Sequence, residues 1–170
     1  MQKATWLAVV IFLGAISSFA QKAPPGDVAV SYSILHFGAG SNALGGSFSA
    51  AGNVNRWFGI AGDFGAYNES PTKTFTFLAG PRFSVRTRRS RITPYAETLF
   101  GGAHMSTNGF GSTGFSALVG GGVDLGLSPS VALRPQVDYL AIRSGGSHLD
   151  TARISVGVAF RLGQKRSRRR

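Results

Sequence analysis

The stretch Phe75–Arg91, FTFLAGPRFSVRTRRSR, decides the fold. Its first half alternates: Phe75, Phe77 and Phe83 share one face of an extended chain, because successive side chains of a strand point to opposite sides. Its second half breaks into an arginine cluster, Arg86, Arg88, Arg89 and Arg91. An aromatic face that ends in concentrated charge fits a strand whose phenylalanines face lipid and whose arginines mark where the lipid stops.

The rest of the composition agrees with that placement. Charged residues are only 15% of the 170, against about 25% in an average soluble protein. Yet 18 bases face 7 acids, a net charge of +11, so the bases are concentrated somewhere. Cysteine is absent, which removes disulfide and thiolate chemistry. The length suits one domain. At the N-terminus, Lys3 precedes the apolar run Trp6–Ile16, and small Ser18 and Ala20 stand at cleavage positions before Gln21. Residues 1–20 therefore read as a cleaved export signal. The run is too short to span a bilayer as a helix, which takes about 20 residues.

From residue 27 onward the chain shows strand-like alternation in eight segments, near 27–37, 44–53, 57–67, 73–85, 92–103, 113–126, 130–142 and 151–162. Val131, Leu133, Pro135, Val137 and Tyr139 oppose Arg134, Gln136 and Asp138. Ile154, Val156, Val158, Phe160 and Leu162 oppose Arg153, Ser155, Gly157 and Arg161. Phe58, Ile60 and Phe64 oppose Asp63; Phe115, Val119, Val123 and Leu125 oppose Asp124. An apolar face on every strand can point inward, as in lipocalin-like soluble barrels, or outward into lipid.

The other face decides between them. Its charges are Asp63, Arg82, Glu97, Asp124, Arg134, Asp138, Arg153 and Arg161, scattered among Gly, Ser, Thr and Ala. That is too few charges for water and small enough for the interior of a narrow barrel, where acids and bases neutralise one another. The expected fold is all-β: an eight-stranded antiparallel transmembrane β-barrel with up-and-down meander topology, over residues 21–162, followed by a basic tail at 163–170. Arg82 and Arg134 are expected to pair with Glu97 and Asp138 and plug the lumen.

With a periplasmic N-terminus, the turns fall at 54–56, 86–91 and 127–129, and longer external loops near 38–43, 68–72, 104–112 and 143–150. Arg86, Arg88, Arg89 and Arg91 then join Lys165, Arg166, Arg168, Arg169 and Arg170 in a basic collar at the periplasmic end. Aromatic belts are expected from Trp57, Phe58, Phe83 and Phe160 on that side, and from Phe37, Phe75, Phe100 and Tyr139 on the other. Pro81, beside Gly80, reads as a tolerated break near the membrane boundary.

The segments "FLAGPRFSV", "ITPYAETLFGGAH", "VGGGVDLGLSPSVALRPQVDY" and "ARISVGVAFRL", in that order, resemble the small outer-membrane β-barrels of the OmpA/OmpX/opacity-protein type. The resemblance covers essentially all of residues 27–162. It implies an outer membrane of the Gram-negative type, outer-membrane lipids as surroundings, a monomer, and a final strand read by the barrel-assembly machinery through Ser155, Gly157, Phe160 and Leu162. The chain departs from longer members in lacking a peptidoglycan-binding domain and in continuing past the last strand into basic residues.

Other motifs are weaker. "GFGSTG", Gly109–Gly114, matches a dinucleotide fingerprint in letters, but no helix follows and it reads as loop. His104 and Ser106 resemble the His-x-Ser of lipid A deacylases, without a glutamate at the family's spacing. His36, His104 and His148 share one end but lack metal-ligand spacing, so no metal and no cofactor are expected. The collar suits anionic headgroups or peptidoglycan and not nucleic acid. The reading is a non-enzymatic barrel with a structural or adhesin-like role; a lipid A-modifying enzyme, a narrow channel and a soluble lipocalin-like binder are the alternatives.

Overall fold

The computed structural model describes residues 26–37, 42–69, 71–86, 91–107, 110–144 and 147–162. The export signal at 1–20, Arg88 and Arg89 of the collar, and the tail with Lys165, Arg166, Arg168, Arg169 and Arg170 lie outside them. Eight strands follow in chain order: β1 (Asp27–Phe37), β2 (Asn42–Asn53), β3 (Phe58–Glu69), β4 (Thr72–Ser84), β5 (Ile92–Thr107), β6 (Phe110–Gly126), β7 (Val131–Ser144) and β8 (Ser147–Arg161). Each pairs antiparallel with the next, and β8 pairs with β1, so the sheet closes on itself.

The register sets the barrel's shape. Cross-strand neighbours run from Asp27 through Ala51, Ala61, Gly80, Leu99, Leu118, Leu140 and Thr151 back to Phe37, ten residues further along β1. With a rise of about 3.3 Å and a strand spacing of about 4.8 Å, that stagger tilts the strands by about 40° and leaves a radius of about 8 Å. The Gly80–Leu99 step crosses a gap in the β4–β5 ladder, where Gly80 and Pro81 pair with β3 but not with β5. The register is unchanged on both sides of the gap, so Pro81 omits pairing without shifting a side chain to the wrong face. Pro135 sits in a similar gap between β6 and β7.

Two expectations about the connections are overturned. Most of the expected loops 104–112 and 143–150 is strand: β5 and β6 pair as far as Thr107 opposite Phe110, and β7 and β8 as far as Ser144 opposite Ser147. Phe110–Gly114 of "GFGSTG" therefore belongs to β6. Glycine and serine were read as loop formers, but an Asn-Gly or Gly-Gly pair between alternating segments is a two-residue hairpin signal. Asn108–Gly109 and Gly145–Gly146 stand at those positions. Consequently the expected asymmetry is reversed, and the longest connection, 85–91, lies at the end that carries both strand termini, called here the turn end.

The outward face is apolar from rim to rim. On β7, β8 and β4 it holds no charge over 131–139, 152–160 and 75–83, and charge resumes only at Arg143, Asp150 and Lys73. Runs of about nine residues at this tilt match the thickness of a hydrocarbon layer. Tyr32, Phe77, Phe115, Val119, Val137 and Val156 are each more than half exposed. In water such a surface would be a continuous aggregation site; in lipid it costs nothing. At the turn end, Asn55 Oδ1 accepts from the backbone N–H groups of Trp57 (2.9 Å) and Phe58 (2.7 Å). That turn lays Trp57 parallel to Phe83 at 6.1 Å, with Phe58 tilted against Phe83 at 5.3 Å. These three rings form an amphipathic corner of the kind found at membrane interfaces.

Candidate functional site

The lumen is built in two layers. Toward the hairpin end, Leu35, Leu78, Leu99, Leu118, Leu140 and Ile142 meet Ala43, Ala51, Ala61, Ala103 and Tyr67 in one buried apolar cluster, with Met105 and Leu149 packed against it. This corrects the expectation of a lumen face made of small and charged residues only. The signal was present as apolar doublets that break the alternation: Ile34–Leu35, Phe77–Leu78, Leu99–Phe100, Leu118–Val119 and Tyr139–Leu140. One member of each pair faces lipid and the other faces inward.

Toward the turn end the filling becomes ionic. Arg153 donates through Nε to Asp138 (2.7 Å) and through Nη1 to Asp63 (2.7 Å) and the Tyr67 hydroxyl (3.0 Å). Gln136 Nε2 bridges Asp138 to Glu97 (3.0 Å), and Glu97 accepts from Arg82 Nε (2.7 Å). Arg134 donates to both oxygens of Asp124 (2.6 and 2.9 Å) and to Asp27 Oδ1 (2.6 Å). Asp27 Oδ1 also receives Arg82 Nη1 (3.2 Å), and its Oδ2 faces Arg86 at 3.6 Å. The Tyr95 ring lies between the Arg82 and Arg134 guanidinium carbons, at 4.7 and 5.0 Å, and its hydroxyl donates to Gln136 (2.7 Å). Arg82, Arg134 and Arg153 are at most 3% exposed, so each cation has exchanged water for carboxylates.

Sequence pairing rules named the right face but not every partner. Arg82 does meet Glu97, whereas Arg134 meets Asp124 and Asp27 instead of Asp138, which belongs to Arg153. Asp27, the acid shared by three arginines, opens β1 and is absent from the lumen charges expected from the sequence. Its alternation with Ala29, Ser31 and Ser33 on the inward face was the available signal. Arg161 lies half-buried at the turn-end mouth and, among the described residues, is in none of the ion pairs. Of the residues assigned to assembly, Ser155 and Gly157 face inward, with Ser33 Oγ donating to Ser155 (3.0 Å), while Phe160 and Leu162 are exposed on the outer face. Of the collar, Arg86 has turned into the mouth toward Asp27 and Arg91 is exposed. Burial pulls the Arg86 guanidinium below its ordinary pKa; Asp27 and Asp124 raise it again, and Arg161 and Arg82 lower it.

His104 and Ser106 stand on the same outward face of β5, two residues apart. The partner of His104 Nδ1 is the Thr113 hydroxyl at 2.9 Å, and the acids that flank it in the sequence, Glu97 and Asp124, are buried on the lumen side of the wall. His36 bonds Asn42 within its own hairpin (2.8 Å). Among the described residues no group of His, Cys, Asp and Glu is arranged to hold a metal.

A closed antiparallel barrel of eight strands, apolar outside and packed inside, is a β-barrel of the outer-membrane type. No protein-family model and no curated protein sequence matches the chain. Among solved structures it is similar to Neisserial surface protein A, NspA, with a TM-score of 0.67 and 18% identity over 81% of this chain and 96% of that one. It is also similar to OprG of Pseudomonas aeruginosa (TM-score 0.56, 10% identity, 85% and 99% covered). Ail, the attachment invasion locus protein of Yersinia pestis, follows the same path (0.54, 16% identity, 83% and 100% covered). At these identities the likeness is one of fold, and that fold is the small outer-membrane barrel.

Proposed function

We propose that this chain is an exported, monomeric outer-membrane barrel with a non-conducting lumen and a structural or surface-interaction role. The single observation that carries this reading is the filling of the lumen from end to end. Among the described residues, an apolar layer and an ion-paired layer lie in series across the lumen, and these side chains occupy the route an ion would take. With the inside closed, function falls to the outside: the lipid-facing wall, the hairpin rim and the basic end. The lumen ion pairs act as a plug and a brace, not as a site of chemistry, and the His104–Ser106 pair is a rim contact without a carboxylate. Assembly through Phe160 and Leu162, which the barrel-assembly machinery would meet on the outer face, belongs to the same proposal. The fold likeness to a protein named for attachment and invasion supports an adhesive role at the hairpin end.

Two measurements test it together. In outer-membrane fractions the unheated protein should migrate differently from the boiled protein in detergent gels, because a closed barrel resists unfolding. Reconstituted in planar bilayers, it should give no steady conductance above the lipid background. A soluble protein without a heat shift, or an open ohmic pore, would each overturn the reading.

A further inference from the structure

The turn-end mouth contains a pocket that the lumen network leaves unused. Arg91, Gly126, Leu127, Ser128, Pro129 and Arg161 line about 260 Å³ beneath the β6–β7 turn. Arg161 closes β8 and stands opposite Asp27 in the register. That carboxylate is already engaged by Arg82, Arg134 and Arg86, and Asp124 gives both its oxygens to Arg134. Glu97, Asp63 and Asp138 are held deeper in the lumen, while Glu69 and Asp150 belong to the hairpin end. Arg161 Nη2 is thereby buried with no acceptor among the described residues. A buried guanidinium N–H without an acceptor is costly, and the chain's own acids are committed elsewhere.

The pocket offers space beside that guanidinium, whose half-buried side chain lines it. Gly126 keeps it open: a Cβ there would stand 3.1 Å from the Arg91 carbonyl oxygen and 3.6 Å from Arg161 Nη1. Ser128 Oγ accepts from the Val131 N–H (3.0 Å), which leaves its own proton to donate. Leu127 and Pro129 supply the apolar part of the lining. Leu127 is 66% exposed, and Ile92 at the start of β5 and Leu162 just past the end of β8 are each about half exposed. An occupant therefore needs an anionic head between two arginines and an apolar part along Leu127.

We propose that this pocket binds the phosphate of a phospholipid headgroup from the leaflet at the turn end. The planar guanidinium fork matches phosphate oxygens, with Arg161 as the half-buried inner anchor, Arg91 as the outer clamp, and Leu127 guiding the first acyl carbons into the apolar belt. A lipid is favoured over a soluble anion because Leu127, which lines the pocket, is itself 66% exposed and so offers apolar surface next to the two arginines. The proposal rests on the membrane-spanning reading above and adds to it a site and a ligand.

The test uses the full chain refolded in dodecyl maltoside without phosphate and titrated with short-chain phosphatidylglycerol, read by phosphorus NMR. Saturable binding at one site is expected, weakened at least tenfold by Arg161→Gln and several-fold by Arg91→Gln and Leu127→Asn. Lys73→Gln, a charge loss at the opposite end, should leave it unchanged. Inorganic phosphate should bind more weakly and be indifferent to Leu127→Asn. Equal weakening by Lys73→Gln would reduce the effect to diffuse attraction and overturn the site. Phosphate binding as tightly as the lipid would overturn the lipid assignment, and displacement by a muramyl peptide carboxylate would transfer the site to the cell wall. The heat-dependent mobility of each variant reports folding. If Arg161→Gln does not fold, the exposed Arg91 carries the test. A parent that shifts on heating but binds no lipid sinks this proposal alone, whereas a parent without the shift sinks the barrel reading first.

Discussion

Arg153→Met tests whether the lumen ion pairs hold the barrel or merely decorate it. Arg153 faces two carboxylates, Asp63 and Asp138, and among the described residues is the one cation within salt-bridge distance of either. All three are at most 5% exposed. Methionine removes two charge-assisted hydrogen bonds and the donor to Tyr67 while keeping much of the side-chain volume. Charged hydrogen bonds are worth about 1.5–3 kcal/mol each, but they are not additive within one network. Removing one partner of a buried pair costs about 3–5 kcal/mol, because the stranded charge cannot be resolvated. That is the destabilisation expected in urea unfolding of the protein in lipid vesicles, followed by the folded band on unheated gels. The triple variant Asp63→Asn/Asp138→Asn/Arg153→Met should recover most of the loss, since no charge is left stranded. If Arg153→Met lies within about 1 kcal/mol of the parent, or if the triple variant is no better than the single one, then water reaches the network and the plug argument fails.

Other substitutions separate the faces. Val156→Arg, at the middle of the outward run on β8, should cost about 2–4 kcal/mol in vesicles, whereas an outward-facing arginine on a soluble barrel would be neutral in the same unfolding assay. Leu118→Ala, at a fully buried lumen position, should cost about 2–5 kcal/mol by urea titration, the penalty of a core cavity and not of a pore lining. Gly120→Ala should destabilise markedly, because a methyl there runs into Asp138 Oδ1 and Val137 O, while Gly62→Ala should be tolerated with nothing nearer than 3.7 Å. Thermal melts of the two glycine variants check this directly. For the same steric reason Gly157→Ala is a poor probe of assembly, since its methyl meets Ser31; Phe160→Ala reports on the outer-face contact without that collision.

The alternation of Val, Ile and Phe with small or charged residues was enough to read strand number, the apolar side of each strand and the barrel itself. A period of two is a local property of the chain, and the outward face meets a uniform medium that asks only for apolarity. The lumen demanded more. Which arginine meets which acid depends on the ten-residue stagger of a closed sheet, and that stagger depends on all eight registers at once. Hence Arg134 reached Asp27, 107 positions away in the chain, while Asp138, nearer in sequence, went to Arg153. The extension of β5–β6 pairing to Thr107 and Phe110, and of β7–β8 pairing to Ser144 and Ser147, was hidden because only cross-strand pairing distinguishes a glycine-rich strand end from a glycine-rich loop. The sequence by itself determined that this chain forms strands with one face for lipid. The tertiary structure alone decided what fills the inside and left Arg161 at the mouth without a carboxylate, because contacts across a barrel are set by closure and not by neighbours in the chain.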